Sequence, residues 1–308
     1  MARVALMFPG QGSQFVGMAK EFHQSWPRAR ELFELASEVS GLDLARLCFE
    51  GPLDELTQTI NLQPAVTLVD LICGEAFLTA GPAPLAVAGH SLGEYPALCL
   101  AGILSPRDTL DLVSRRGRLM DRDAAAHPGA MSAVVGASPA EVAQICAEVD
   151  GVVQPANFNT PVQTVITGAS EAVAEAGRLA AAKGLKAIPL KVSGAWHSPF
   201  MQEAAQDLAP FIAGASFAPP TCLHVPNTTG RPSRDAAEIQ KELAGQLTSP
   251  VLWVQTVESL VAQGVEIFVE AGPGRVLAGL LKKTVPAGVK VLGFQDPAGL
   301  EQVLASIS

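Results

Sequence analysis

The stretch Leu85-Ala86-Val87-Ala88-Gly89-His90-Ser91-Leu92-Gly93-Glu94 decides how this chain is read. A short apolar run breaks at Gly-X-Ser-X-Gly, the sequence form of a nucleophile elbow, in which a buried strand turns sharply into a helix and holds a strained serine above the sheet. Gly89 and Gly93 lack the side chains that would collide where strand and helix fold back on each other. The start of the helix offers unpaired N–H groups to a developing oxyanion. Ser91 is therefore the candidate nucleophile. A glycine-rich βα turn with Ser91 as its N-cap would use the same residues, and in a chain with 28 glycines the motif alone does not separate the two readings.

Working outward, residues 4–8 read as a buried strand followed by a Pro-Gly-Gln-Gly loop, and helical patterns run through Phe33-Glu34-Leu35-Ala36 and Gln63-Pro64-Ala65-Val66. The alternation is α/β. Ser105-Pro106-Arg107-Asp108 places a serine at N-cap, proline at N1 and an acid at N3, which predicts a helix to about Asp121. The pattern then changes to strand 130–135, helix 139–149, strands 152–156 and 163–167, helix 170–183 and strand 186–190. This βαββαβ order is ferredoxin-like. The α/β pattern resumes with strands at 222–225 and 265–269. The expected fold is an α/β-hydrolase-like large subdomain, 1–126 and 193–308, carrying an inserted ferredoxin-like small subdomain, 127–192, with the active site in the cleft between them.

Composition narrows the function classes. With 308 residues, 48% of them apolar, the chain can bury a sizeable core. A net charge of −9 argues against a nucleic-acid binder, and Lys183, Lys186, Lys191, Arg275, Lys282 and Lys283 offer an anionic partner at most a local basic patch, or are simply scattered solvated cations. No run approaches the roughly 18 apolar residues of a membrane span, and the start Met1–Phe8 is too short for a signal peptide, so the expected location is cytoplasmic. Five scattered cysteines without a C-x-x-C pair read as reduced core thiols rather than disulfides or a metal site.

A serine hydroxyl needs a base, and among His23, His90, His127, His197 and His224 the one in Ser193-Gly194-Ala195-Trp196-His197-Ser198-Pro199 lies at the second junction between the subdomains, where a loop reaches the cleft. A capping or core histidine remains the other reading of His197. No aspartate sits in a comparable late loop to orient the imidazole. On the helix after Ser105, Asp108, Asp111, Arg115, Arg118 and Arg122 share a solvent face, whereas Arg116 borders the apolar face of Leu110, Val113 and Gly117, between Leu112 and Met120. A guanidinium there needs an anion, either an internal carboxylate or a substrate carboxylate. Gln11 lies in the glycine loop after the first strand, either a simple turn or the second donor of an oxyanion hole; the loop lacks the Lys-Ser/Thr ending of a phosphate loop. Gly272-Pro273-Gly274-Arg275 reads as a structural loop before a helix.

Pro9-Gly10-Gln11-Gly12-Ser13-Gln14, Gly89-His90-Ser91-Leu92-Gly93-Glu94, Arg116-Gly117, Gly129-Ala130-Met131, Gly194–Pro199 and Glu270-Ala271-Gly272-Pro273-Gly274 keep their order from residue 4 to about 285. In these motifs the chain resembles the bacterial malonyl-CoA:acyl carrier protein transacylases. The resemblance implies a ping-pong transfer of malonyl from malonyl-CoA to the phosphopantetheine thiol of an acyl carrier protein, with Ser91 as nucleophile and His197 as base. It further implies that the backbone carbonyl of Gln246 orients His197, that the N–H groups of Gln11 and Leu92 form the oxyanion hole, and that Arg116 pairs with the malonyl carboxylate. Met120, Trp196, Asn159 and Asn227 are implied at the substrate site. Coenzyme A enters as a thioester substrate and phosphopantetheine on the carrier, with no bound cofactor or metal, and the expected state is a monomer. Trp196 stands where the family more often has phenylalanine, which would tighten the pocket against α-branched acyl groups. Pro96 replaces a small residue and is expected to cost one helical hydrogen bond. A serine thioesterase, a carrier-binding module, and a transacylase serving a polyketide or malonate decarboxylase system are the competing readings.

Overall fold

The computed structural model describes residues 2–307. Among them are nine strands: β1 (Val4–Phe8), β2 (Ala86–Gly89), β3 (Ala130–Val135), β4 (Val153–Thr160), β5 (Gln163–Gly168), β6 (Lys186–Pro189), β7 (Leu223–His224), β8 (Ile267–Ala271) and β9 (Lys290–Phe294). They form two sheets, ordered β7-β2-β1-β8-β9 and β4-β5-β3-β6.

Every pairing in the five-stranded sheet is parallel. Its strands β1, β2 and β8 are buried along their whole length, because the crossover helices cover both faces and water reaches neither. The chain leaves β1 toward β2 on one side and later crosses to β8 on the other, so the carboxyl ends of β1 and β2 open at a reversal of strand order, where α/β sheets place their ligands. Leucine, valine and isoleucine all round the helix Thr59–Ala80 bury it in the core. It is the one described helix long and apolar enough to cross a membrane, and 83% of its most apolar window lies inside the protein.

The second sheet is antiparallel throughout. Its order is that of a ferredoxin-like βαββαβ unit, the first strand β3 lying between the third, β5, and the last, β6. Helices Pro139–Ala147 and Ser170–Ala182 bury Val142, Ile145, Val173, Ala176 and Ala180 against Val134 and Ile166, a core separate from that of the parallel sheet. The α/β architecture with its ferredoxin-like unit is thus the expected one.

The local differences have physical causes. β4 runs on to Thr160, past the expected end at 156, with irregular register between Pro155 and Asn157 and between Phe158 and Thr160, and this extension bridges Asn157 to Val251 of the main body. The helix capped by Ser105, whose hydroxyl accepts from the Asp108 N–H, continues to Ala126. Pro96 falls in the first turn of the helix Glu94–Leu100, where an N–H has no helical partner in any case, so the cost expected there does not arise. β9 was not foreseen.

Candidate active site

Two carboxyl-end loops of the parallel sheet, after β1 and after β2, form one side of the centre. After β2 the backbone turns through Ser91 at φ 52°, a left-handed conformation that a non-glycine residue adopts only when its surroundings impose it. The close approach explains the glycines: a Cβ on Gly89 would fall on the Gly93 carbonyl, and one on Gly93 on the Phe8 carbonyl. Gly93→Ala is accordingly expected to destabilise the fold by about 3 kcal/mol or more, since backbone rather than a side-chain tip would have to yield. Denaturant unfolding checks this, and a loss below about 1 kcal/mol would contradict the packing argument.

His197, also at a left-handed φ of 58°, meets Ser91 from the loop after β6. Its Nε2 lies 2.7 Å from Ser91 Oγ, while Nδ1 lies 3.1 Å from the Gln246 carbonyl oxygen and 3.0 Å from that of Ser249. Carbonyl oxygens only accept, so Nδ1 must carry the proton and Nε2 must present its lone pair to the serine hydroxyl. The tautomer a general base requires is thereby fixed without an aspartate. Burial pushes the His197 pKa down to about 3, the Arg116 cation adds to the effect, and the two carbonyls only partly oppose it.

Arg116 is 1% exposed. Its Nη1 donates to Gln63 Oε1 at 2.9 Å, and its Nη2 to Ser91 Oγ and to Gln246 Oε1, each at 3.1 Å. All three acceptors are neutral. Among the described residues no carboxylate hydrogen-bonds this guanidinium, which lies over the Tyr95 ring, and its Nε has no hydrogen-bond partner. Burial lowers its pKa, with Tyr95 and Glu94 opposing, yet a guanidinium stays charged in proteins. Of the two anions the sequence left open, the internal one is not at the site.

Gln11, Leu92, Arg116, Met120, Trp196, His90, Ser91 and His197 line a single cavity of about 100 Å³. Gly10 rests against the His90 carbonyl, which brings the Gln11 loop onto the elbow. Asn159 and Asn227 are elsewhere. Asn159 Oδ1 lies 2.8 Å from His90 Nε2, and the fully buried Asn227 accepts the Ser91 N–H through Oδ1 at 2.6 Å while donating to the Gly89 carbonyl at 2.7 Å. Asn157, not Asn159, reaches the cavity from β4, joined by Met131, Leu190 and Val192. Gln63 was also missed; a lone glutamine in the otherwise apolar run Leu62–Val66 was its signal.

The arrangement is that of an activated serine beside a buried cation. The family model for the acyl transferase domain matches residues 6–296. A malonyl CoA-acyl carrier protein transacylase of Bacillus subtilis is 39% identical over 100% of this chain and 98% of its own length. The solved malonyl CoA-acyl carrier protein transacylase of Coxiella burnetii superposes with a TM-score of 0.95 at 38% identity, covering 99% of this chain and 98% of that one. A malonyl-transacylase solved in complex with its type II PKS acyl-carrier protein gives a TM-score of 0.94 at 38% identity, over 99% of this chain and 100% of that one.

Proposed function

The chain belongs to the acyl transferase family as a malonyl-CoA:acyl carrier protein transacylase, and from that premise we propose that Ser91 relays malonyl groups from malonyl-CoA to the phosphopantetheine thiol of an acyl carrier protein, supplying fatty acid chain extension. The observation that carries the residue assignment is Arg116, buried beside the Ser91–His197 pair with only neutral acceptors around it. A bound malonyl carboxylate completes it.

His197 Nε2 takes the Ser91 proton as Oγ attacks the thioester carbonyl carbon, and the oxyanion develops against the N–H groups of Gln11 and Leu92. Collapse breaks the C–S bond, and His197 returns the proton to the departing coenzyme A thiolate. The carrier thiol then repeats the sequence in reverse on the malonyl-Ser91 ester. No bound cofactor takes part in these steps; coenzyme A and phosphopantetheine are carriers of the acyl group. The cavity's apolar wall of Met120, Met131, Leu190, Val192 and Trp196 holds water away from the ester and, through the Trp196 ring, limits substituents on the malonyl α-carbon. In this reading the enzyme acts as a monomer in the cytoplasm; the burial of the one described helix long and apolar enough to cross a membrane supports its being a core helix rather than a span.

Incubation with malonyl-CoA followed by mass analysis should find malonyl on Ser91, and a panel of holo-carriers should then discharge it. No acyl-Ser91 would support a non-catalytic module, and free malonate without transfer a thioesterase. The complex of a relative with a type II PKS carrier favours a second reading, service to a polyketide carrier, which preferential discharge by such carriers would select.

The dyad also predicts a pH profile. A base must be neutral, and kcat/KM reports the free enzyme. With His197 held down to about 3, kcat/KM for malonyl-CoA should stay flat from pH 8 down to about 5, without the fall near 6.5 that an ordinary histidine would give. A midpoint near 6.5 would contradict the electrostatics described.

A further inference from the structure

Glu94, the last residue of the elbow motif, is 1% exposed and faces away from the cavity, yet it hydrogen-bonds both residues whose side chains grip the Ser91 peptide, Gln246 through its side-chain amide and Asn227 through its backbone N–H. Its Oε2 accepts from Gln246 Nε2 at 2.7 Å and from the Asn227 N–H at 3.3 Å. Gln246 Nε2 also donates to the Ser91 carbonyl at 2.9 Å, and Asn227 accepts the Ser91 N–H at 2.6 Å. The two neighbours therefore clasp the strained peptide from both ends.

A carboxylate can only accept and a guanidinium can only donate, so the Gln246 amide, set between Glu94 and Arg116, has one possible orientation. Its nitrogen faces Glu94 and its Oε1 faces Arg116. The same residue's carbonyl orients His197. One buried anion thus sets the serine backbone, the imidazole and the guanidinium together. Behind it His224 Nε2, fully buried on β7, lies 3.5 Å from the other Glu94 oxygen, and neither imidazole nitrogen has a hydrogen-bond partner in the described residues.

We propose that Glu94, backed by His224, is the positioning residue of this centre, acting through Gln246 and Asn227 to hold Ser91 in its reactive conformation. The inference rests on Ser91 and His197 being the reacting pair. A fluorophosphonate tests it, because Ser91 Oγ bonds to phosphorus, fluoride leaves and His197 takes the proton, with no use of the malonyl carboxylate or the carrier.

In Glu94→Gln, which fills the same volume but removes the charge that orients Gln246, labelling of Ser91 and kcat for malonyl transfer should both fall about tenfold; in Glu94→Ala both should fall about 100-fold, with KM for malonyl-CoA within about threefold of the unaltered enzyme. His224→Leu should shift labelling and kcat in the same direction. Each is measured on the full chain and normalised to the folded fraction from its melting curve, which a purely structural role would exhaust. Labelling of folded Glu94→Gln at the unaltered rate overturns the proposal, whether or not Glu94→Ala folds. If the unaltered enzyme itself is not labelled at Ser91, the assignment of the nucleophile falls with it.

Discussion

Arg116→Ala is expected to lower kcat/KM for malonyl-CoA by about 10²- to 10³-fold, while residual acetyl transfer falls by less than about tenfold, because truncating one partner of a buried, hydrogen-bonded charge pair costs roughly 2–5 kcal/mol. The guanidinium is out of water, lies over the Tyr95 ring, and among the described residues hydrogen-bonds only to the neutral Gln63 Oε1, Gln246 Oε1 and Ser91 Oγ. The nearest negative charge reaches it through an amide, Gln246 standing between it and Glu94. A cation placed so is a cost in the empty enzyme and a gain only when an anion arrives. Malonyl brings that anion and acetyl does not. Lysine is not an adequate substitute, since one ammonium cannot span Gln63 and Gln246 while presenting a planar fork to a carboxylate. Parallel measurement with malonyl-CoA and acetyl-CoA decides the matter, and an equal loss on both would mean that Arg116 serves Ser91 rather than the acyl carboxylate.

The parts of this site that were legible in the sequence are those encoded locally. The Gly-X-Ser-X-Gly turn carries the steric requirement of Gly89 within five residues, although that of Gly93 is set by the remote Phe8 carbonyl, and the βαββαβ unit declares itself through alternating runs whose partners are close in sequence. Arg116 could be singled out because helical spacing alone sets it against an apolar face. The carbonyl that orients His197 was reached only through resemblance, since a backbone oxygen leaves no mark in a side-chain pattern.

Side-chain partners from remote segments were not legible. Gln63 lies 53 positions from Arg116 and Glu94 lies 152 from Gln246, and nothing in either local sequence names the other. Asn159 illustrates the limit differently. Strand parity puts Asn157 and Asn159 on the same face of β4, but irregular register intervenes, Asn157 reaches the cavity, and Asn159 turns to His90. β9 escaped notice because it is a five-residue edge strand, Lys290–Phe294, whose glycine breaks the apolar run.

His197→Ala is expected to slow both half-reactions together, acylation of Ser91 by malonyl-CoA and discharge onto the carrier thiol, each by about 10³- to 10⁴-fold, the range lost with a general base that also returns the proton. The equality follows from geometry. One nitrogen, Nε2, stands 2.7 Å from Ser91 Oγ, and the same nitrogen must deprotonate whichever nucleophile attacks and protonate whichever group departs. The structure adds a condition on when that nitrogen can act. Two carbonyl dipoles, rather than a carboxylate, face Nδ1, and burial first and the Arg116 cation second oppose protonation of the ring, holding its pKa down to about 3 in the empty site. A malonyl carboxylate bound to Arg116 cancels that opposition and makes the imidazole a stronger base at the moment it is needed. An acetyl thioester leaves it weak. The consequence is measurable by comparing single-turnover acylation rates: for acetyl-CoA, Arg116→Ala should return part of the base strength that the uncompensated cation removes, so that the acid limb of its pH profile moves up toward 6.5 while that of His197→Ala disappears. If the acid limb stays where it was in Arg116→Ala, the cation does not govern His197, and the preference for malonyl would have to come from binding alone.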